Sequence, residues 1–324
     1  MNTRTLGLNR FQWILAVVLV TQIILAIVVN LPHKTRAESN PLVEGFDPAS
    51  IVDVVIENQS TDKLHLAEVN GEWVLPEAGD YPANADKVTE VLGKIQNIKT
   101  NRLVTQTAAS HNQLQVAEDN FNGRVTFTDS NGKPQTLYIG SSAGSGATHV
   151  RLDGMNQVYL TSELTSWEVT PTVSSWIDTT YITLDQDQLQ TLRVENANGS
   201  FSFHKDESEK WTLEDLNEGE DLDSSGLQTK INRFTTLRMV EPLGTTAQTS
   251  WGLNQPLATA VFGLADGTTV SIAVGALGQN GNYAIKASNS PYYVDIAATT
   301  AESLINMDRA SLLLQPTATP TPAP

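Results

Sequence analysis

Cysteine is absent from all 324 residues. That excludes disulfides, a thiol nucleophile, a cysteine-ligated metal and a lipid anchor on cysteine. It does not exclude export, because a chain of this length can be held by its hydrophobic cores alone. Basic residues are few: 20 Lys and Arg stand against 36 Asp and Glu, for a formal charge of −16. Arg4, Arg10, Lys34 and Arg36 all lie in the first 36 residues, which hold no acid, so the rest is more acidic still. An acidic body repels phosphate backbones and argues against a nucleic-acid partner. Histidine is scarce as well, five in all, with no pair at the i, i+4 spacing of a helical zinc site. His65, His111, His149 and His204 therefore read as half-buried strand or loop residues. With 40% hydrophobic and 17% charged residues, the composition is that of a globular protein.

What the chain does have is one long apolar run, residues 11–31, flanked by basic residues and carrying Trp13 near one end. About 20 helical residues cross a bilayer core, and tryptophan favours the interface. The run reads as an uncleaved anchor, with a cytoplasmic amino terminus and the acidic body outside. A cleaved signal peptide is the alternative, with Thr35-Arg36-Ala37 as the processing site, although the run is long for a signal core. Thr21 and Gln22 fall mid-span, where polar side chains can hydrogen-bond to a neighbouring helix. They are the candidate contacts with a partner in the membrane.

After the anchor, the same layout is written twice. Phe46-Asp47 leads into Ile51-Val52-Asp53-Val54-Val55-Ile56, and Leu184-Asp185 leads into Leu189-Gln190-Thr191-Leu192-Arg193-Val194. Glu72-Trp73-Val74-Leu75 returns as Lys210-Trp211-Thr212-Leu213, 138 positions later. Val88, Leu92, Ile95 and Ile98, at helical spacing, return 139 positions later as Leu227, Ile231, Phe234 and Leu237. Leu137-Tyr138-Ile139-Gly140 returns as Ile272-Ala273-Val274-Gly275. Alternating segments such as Lys63-Leu64-His65-Leu66 predict half-buried strands around each helix.

The expected fold is α+β: two tandem repeats of antiparallel strands, each with one amphipathic helix, after an N-terminal transmembrane helix. The expected boundaries are 1–36 for the cytoplasmic stub and anchor, 37–178 for the first repeat, 179–310 for the second, and 311–324 for a Pro/Thr tail. The tail sequence PTATPTPAP has no core-forming residue and predicts an extended, disordered segment.

A feature kept in both copies belongs to the fold; one found once is a candidate for function. Gly140-Ser141-Ser142-Ala143-Gly144 fits the G-x-S-x-G pattern of a nucleophile elbow, which needs a strand, a sharp turn and a helix. Its flanks predict two strands instead, and Gly275-Ala276-Leu277-Gly278 repeats the glycine without the serine. The sequence EDLNEGEDLD, residues 214–223, packs six carboxylates into ten positions. From Asp215, Gly219 falls fifth and Gly226 twelfth, whereas an EF-hand loop needs glycine sixth and glutamate twelfth. A solvated acidic loop before a helix is the expectation. Trp73 and Trp211 occupy equivalent places and read as core. Trp167, Tyr292 and Tyr293 are the candidate ligand-facing aromatics of a groove between the repeats.

Several residues resemble bacterial proteins grouped as domain of unknown function 4340. They are Gly71-Glu72-Trp73-Val74-Leu75, the helix opening Ala85-Asp86-Lys87-Val88, the turn Trp251-Gly252-Leu253-Asn254-Gln255-Pro256, and Trp176-Ile177-Asp178 leading to Asp185. The first copy's turn, His111-Asn112-Gln113-Leu114, departs from the pattern. The resemblance implies an amino-terminal anchor in a bacterial cell membrane with the body on the extracytoplasmic side. It also implies a role beside transporters of the ATP-binding-cassette type, with integral-membrane transporter subunits as partners. It carries over no catalytic residue, cofactor or metal ligand. The expectation is a non-enzymatic accessory or scaffold subunit; the alternative is a module that binds an envelope polymer or peptide in the groove.

Overall fold

The computed structural model describes residues 10–30, 39–60 and 62–314. Helix α1, Arg10–Asn30, is 21 residues long, about 31 Å at 1.5 Å per residue. Its described side chains, residue 11 and residues 13–23, are apolar except for Thr21 and Gln22 and mostly exposed, Phe11, Trp13, Ile14, Leu15 and Val17 among them. Among the described residues no helix is long and apolar enough to cross a membrane. Thr35, Arg36 and Ala37, as well as the Pro/Thr tail from residue 315, lie outside the described residues.

The first repeat comprises β1 (Ile51–Glu57), β2 (Lys63–Val69), β3 (Glu72–Leu75), β4 (Tyr81–Pro82), helix α2 (Ala85–Asn97), β5 (Leu103–Thr105), the short α3 (His111–Leu114), β6 (Gly123–Asp129), β7 (Pro134–Gly144), β8 (Ala147–Leu152) and β9 (Val158–Thr161). The second comprises β10 (Thr180–Thr183), β11 (Leu189–Asn196), β12 (Gly199–Lys205), β13 (Trp211–Leu213), α4 (Ser224–Thr235), β14 (Thr236–Arg238), β15 (Glu241–Gly244), β16 (Ala258–Leu264), β17 (Thr269–Leu277), β18 (Asn282–Ala287), β19 (Tyr293–Ala297) and α5 (Ala298–Ile305).

The strand orders coincide except for β4, which has no counterpart in the second sheet. One sheet runs β4-β3-β2-β1-β6-β7-β8-β9-β5 and the other β13-β12-β11-β16-β17-β18-β19-β15, with β10 and β14 as a separate pair. All pairings are antiparallel. Irregularities recur as well. β1 and β6 slip between Ile51 and Asp53, and β11 and β16 between Leu189 and Thr191, 138 positions on. A bulge bends its strand and increases the local twist, so both repeats bend at the same place.

Each sheet turns one face inward because apolar residues alternate along its strands. Val54, Ile56, Leu64 and Leu66 are buried, as are Leu192, Val194, Phe201 and Phe203. Helix α2 covers the first set with Val88, Val91, Leu92 and Ile95, each contributing about 1.5–3 kcal/mol when fully buried. Asn84 caps it, its Oδ1 accepting from the Lys87 N–H at 3.0 Å. Asp223 caps α4 the same way, accepting from the Gly226 N–H at 2.9 Å. Trp211 is buried and Trp73 half-buried against the same core.

One hydrophobic cluster runs through both repeats, from Leu42 to Leu312. The second repeat extends beyond the expected boundary at 310: Leu312 is buried and the Leu314 N–H donates to the Asp221 carbonyl at 2.9 Å. Strap segments close both helices alike, since Asn84 N–H donates to Trp176 O at 2.7 Å and Asp223 N–H to Leu312 O at 2.8 Å.

Candidate functional site

The repeats meet along a groove of about 290 Å³. One wall is β2 and the turn after β3, with Lys63, His65, Leu75, Glu77 and Ala78. The other is β15, with Glu241 and Pro242, and Val173 of the linker closes one side. The register of β1 against β2 pairs Val55 with His65 and Ala67 with Asp53, so Asp53 lies diagonal to His65 on the sheet face away from the core. Glu77 comes from the helical turn Pro76–Ala78, which ends at Gly79 with φ of +70°.

His65 is held at both ring nitrogens. Nε2 lies 2.6 Å from Asp53 Oδ2 and Nδ1 lies 2.8 Å from Glu77 Oε1. Carboxylates only accept hydrogen bonds, so this arrangement is satisfied fully when both nitrogens carry a proton. Partial burial pulls the imidazole pKa down, but the hydrogen bonds and charges of Asp53 and Glu77 outweigh it and raise it above 6.5. For Glu77 burial acts upward and the bond from His65 downward, with the net value lowered.

Across the groove Asn280 Nδ2 donates to Glu241 Oε1 at 3.2 Å and to Asp295 Oδ2 at 2.7 Å. Burial, then the neighbouring Asp295 charge, raises the Glu241 pKa against the pull of Asn280. The two carboxylates on His65 sit at opposite ring nitrogens, with the ring between them. Among the described residues no cluster of three or more His, Asp or Glu side chains is placed to hold a metal ion.

This cluster occurs in one copy only. By strand register Thr191 stands where Asp53 does and Ser202 where His65 does. Sequence reasoning placed His65 as a half-buried strand residue, which it is, and missed its two carboxylates. Comparing the copies position by position would have exposed the difference.

Other motifs resolve into the fold. Residues 140–144 lie inside β7, so no strand–turn–helix elbow forms. A Cβ on Gly140 would meet the Leu114 carbonyl at 2.2 Å, and one on Gly275 would meet the Trp251 carbonyl at 2.0 Å. Both glycines let a turn press on a strand. Ser141 Oγ lies 3.2 Å from His149 Nδ1, but that nitrogen also lies 2.8 Å from the Ser141 carbonyl. A carbonyl only accepts, so Nδ1 carries the proton and cannot act as base for the hydroxyl.

Arg151 is buried and donates to the carbonyls of Val116 at 2.7 Å and Met155 at 3.2 Å. Its counterpart Lys286 donates to Ala287 O at 2.8 Å and to Ser290 O, so a cation closes the same hairpin twice. In the acidic loop Glu220 pairs with Arg309, whose hydrogen bond holds the Glu220 pKa down to about 2.

The candidate aromatics do not gather in one place. Trp167 is 74% exposed on the turn Ser166–Val169. Tyr292 packs edge-on against Tyr81 with centroids 4.7 Å apart, and its hydroxyl donates to Asp80 O at 3.2 Å. It thereby joins the second repeat to the first. Tyr293 leans on Trp251 at 5.1 Å. On α1, Thr21 Oγ1 donates to Val17 O at 2.8 Å, while Gln22 is exposed.

A family model described as a domain of unknown function (DUF4340) matches residues 73–256, more than half the chain. The chain belongs to this family. The DUF4340 match runs from Trp73 on β3 across the linker to Pro256 beyond the Trp251 turn, so it spans the junction of the repeats and includes Glu77 and Glu241. Asp53 and His65 precede it. No curated protein and no solved structure matches the chain.

Proposed function

We propose that this DUF4340 protein is a non-enzymatic scaffold subunit tethered to a bacterial cell membrane. Its two-repeat body lies on the extracytoplasmic side and serves a transport complex of the ATP-binding-cassette type. The observation that supports the tether is α1: apart from Thr21 and Gln22 its described side chains are apolar, and Phe11, Trp13 and Ile14 are each at least 60% exposed. A helix so largely apolar belongs in a core or a membrane. The scaffold reading is supported by the duplicated fold, in which Ser141, His149, Arg151 and Lys286 are engaged by backbone groups.

Native-detergent purification of the full-length protein from its own membranes, with an anchor-deleted control, tests the reading. Transporter subunits recovered with the anchored form alone support it. Replacing Thr21 and Gln22 with leucine then lowers the yield, if those side chains bond to a partner helix. Recovery of the protein by itself refutes the transport role.

A second reading is favoured by the groove itself. Its walls combine Leu75, Val173 and Pro242 with Lys63, His65, Glu77 and Glu241, the mix of apolar lining and few charged groups common to ligand sites. On that reading it takes a segment of an envelope polymer or peptide. Loss of binding to cell-envelope material on His65→Gln separates this from the scaffold role.

A further inference from the structure

The internal junction leaves two matching half-sites unused. At the junction the turn after β3, Pro76–Ala78, packs against the edge strand β15. A Cβ on Gly79 would stand 3.1 Å from the nitrogen and the hydroxyl of Thr245, and one on Gly244 would stand 3.7 Å from Ala78. The counterpart of β15 in the first repeat is β5. The two agree in detail: Leu103 pairs with Tyr159 where Pro242 pairs with Val294, and each strand slips once at the same place. The counterpart of the turn after β3 is residues 214–217, after β13.

The two edges differ in what covers them. Pro242 and Gly244 are buried, whereas Leu103 is 44% and Val104 41% exposed. An open edge strand with exposed apolar side chains is a template for association. The edge strand changes charge as well, while the turn stays acidic, Asp215 standing where Glu77 does. The covered edge carries Glu241 and faces Lys63 and His65 across the groove. The open edge carries Arg102 in place of Glu241. The free turn carries Glu214 and Asp215, followed by Glu218 and Asp221, with Ser200 and Ser202 where Lys63 and His65 stand. Arg309 pairs with Glu220 and also donates to the Asp215 carbonyl, bracing the turn, while the side chains of Glu214, Asp215, Glu218 and Asp221 form no ion pair among the described residues.

We propose that the open β5 edge of one copy receives the 214–217 turn of a second copy of this chain, so that copies associate head to tail. The contact repeats the internal junction with Arg102 in place of Glu241, set against an acidic turn. It is heterologous, using different surfaces on the two partners, and each added copy presents the same free edge and turn again. The proposal rests on the internal junction and is independent of the transport role.

The lack of native cysteine makes the test direct. Gln106 stands where Thr245 does and Asn217 where Gly79 does, and both are exposed. Full-length Gln106→Cys and Asn217→Cys chains are oxidised in native membranes, separately, co-expressed, and as the double variant. The expected result is a disulfide-linked dimer on co-expression, a ladder for the double variant, and monomer for either variant alone. Arg102→Glu lowers the yield several-fold, and Asp215→Lys added to it restores the yield. Three results overturn the proposal: a double variant that stays monomeric, dimers from either single variant alone, or cross-links to a different protein in place of a second copy.

Discussion

Adding one methyl group at Gly275 tests whether the strand-turn contact shared by both repeats is part of the fold. An alanine Cβ there would lie 2.0 Å from the Trp251 carbonyl and 3.0 Å from Leu253 Cγ. Real Cβ contacts essentially stop at 3.0 Å, so the carbonyl must retreat by about 1 Å, a displacement that overpacked sites reach only with backbone shifts. The turn has little room to do so. It is closed by Gly252 N–H donating to Thr249 O at 3.1 Å, and a Cβ on Gly252 would meet Ala276 at 3.0 Å. The expected cost is about 1–3 kcal/mol, or a fall in Tm of about 2–4 °C per kcal/mol. Gly140→Ala should cost a similar amount, since its Cβ would meet Leu114 O at 2.2 Å and Val116 Cγ1 at 2.6 Å. Gly93 supplies the control: it is helical, with nothing within 4 Å of its Cβ position. Gly93→Ala should stabilise by about 0.5–1 kcal/mol. Urea titration of the full chain in detergent, followed by tryptophan fluorescence, reads all three. If Gly275→Ala and Gly140→Ala unfold at the wild-type midpoint, the reasoning is refuted.

Three further outcomes follow. His65→Gln should cost about 1 kcal/mol at about pH 5.5, the scale of two solvent-screened ion pairs. The folded pKa of His65 is raised, so its stabilisation is fully present below 6.5 and is lost as pH rises through the folded value. The urea midpoints of wild type and variant should therefore converge at high pH, and a gap that widens with pH would contradict the pairing with Asp53 and Glu77. Asn84→Ala should lose about 1 kcal/mol of stability and Asp223→Ala should lower the urea midpoint in the same direction; no shift in either would deny the caps. Trp167→Ala should leave stability within about 0.5 kcal/mol of wild type, as for an exposed surface residue; a larger loss by thermal melting would show that the indole is packed.

Much of this fold can be read from the chain because the repeated signals are local. The 3.6-residue spacing of Val88, Leu92 and Ile95 needs no tertiary knowledge, and neither does the alternation that buries Leu64 and Leu66. What escapes is short or irregular. β5 and β15 are three and four residues long, each interrupted by a slip, and too brief for a period to appear. Helix α5 begins at Ala298 with no capping side chain. Asp53, His65 and Glu77 lie 12 residues apart in turn, and only strand register and the Gly79 turn bring them together. A lone histidine on a strand announces nothing, and its serine counterpart in the second copy is visible only once the copies are aligned.

The proposed place of the body outside the cytoplasm underlies both its proposed partners and its proposed ligands. Glu207 is exposed beyond β12, and Glu207→Cys gives the chain its one thiol. Labelling intact cells with a membrane-impermeant maleimide, with and without outer-barrier permeabilisation, locates that residue. Labelling without disruption of the cytoplasmic membrane is the predicted result. Labelling only after that membrane is lysed would put the body inside the cell and contradict the account.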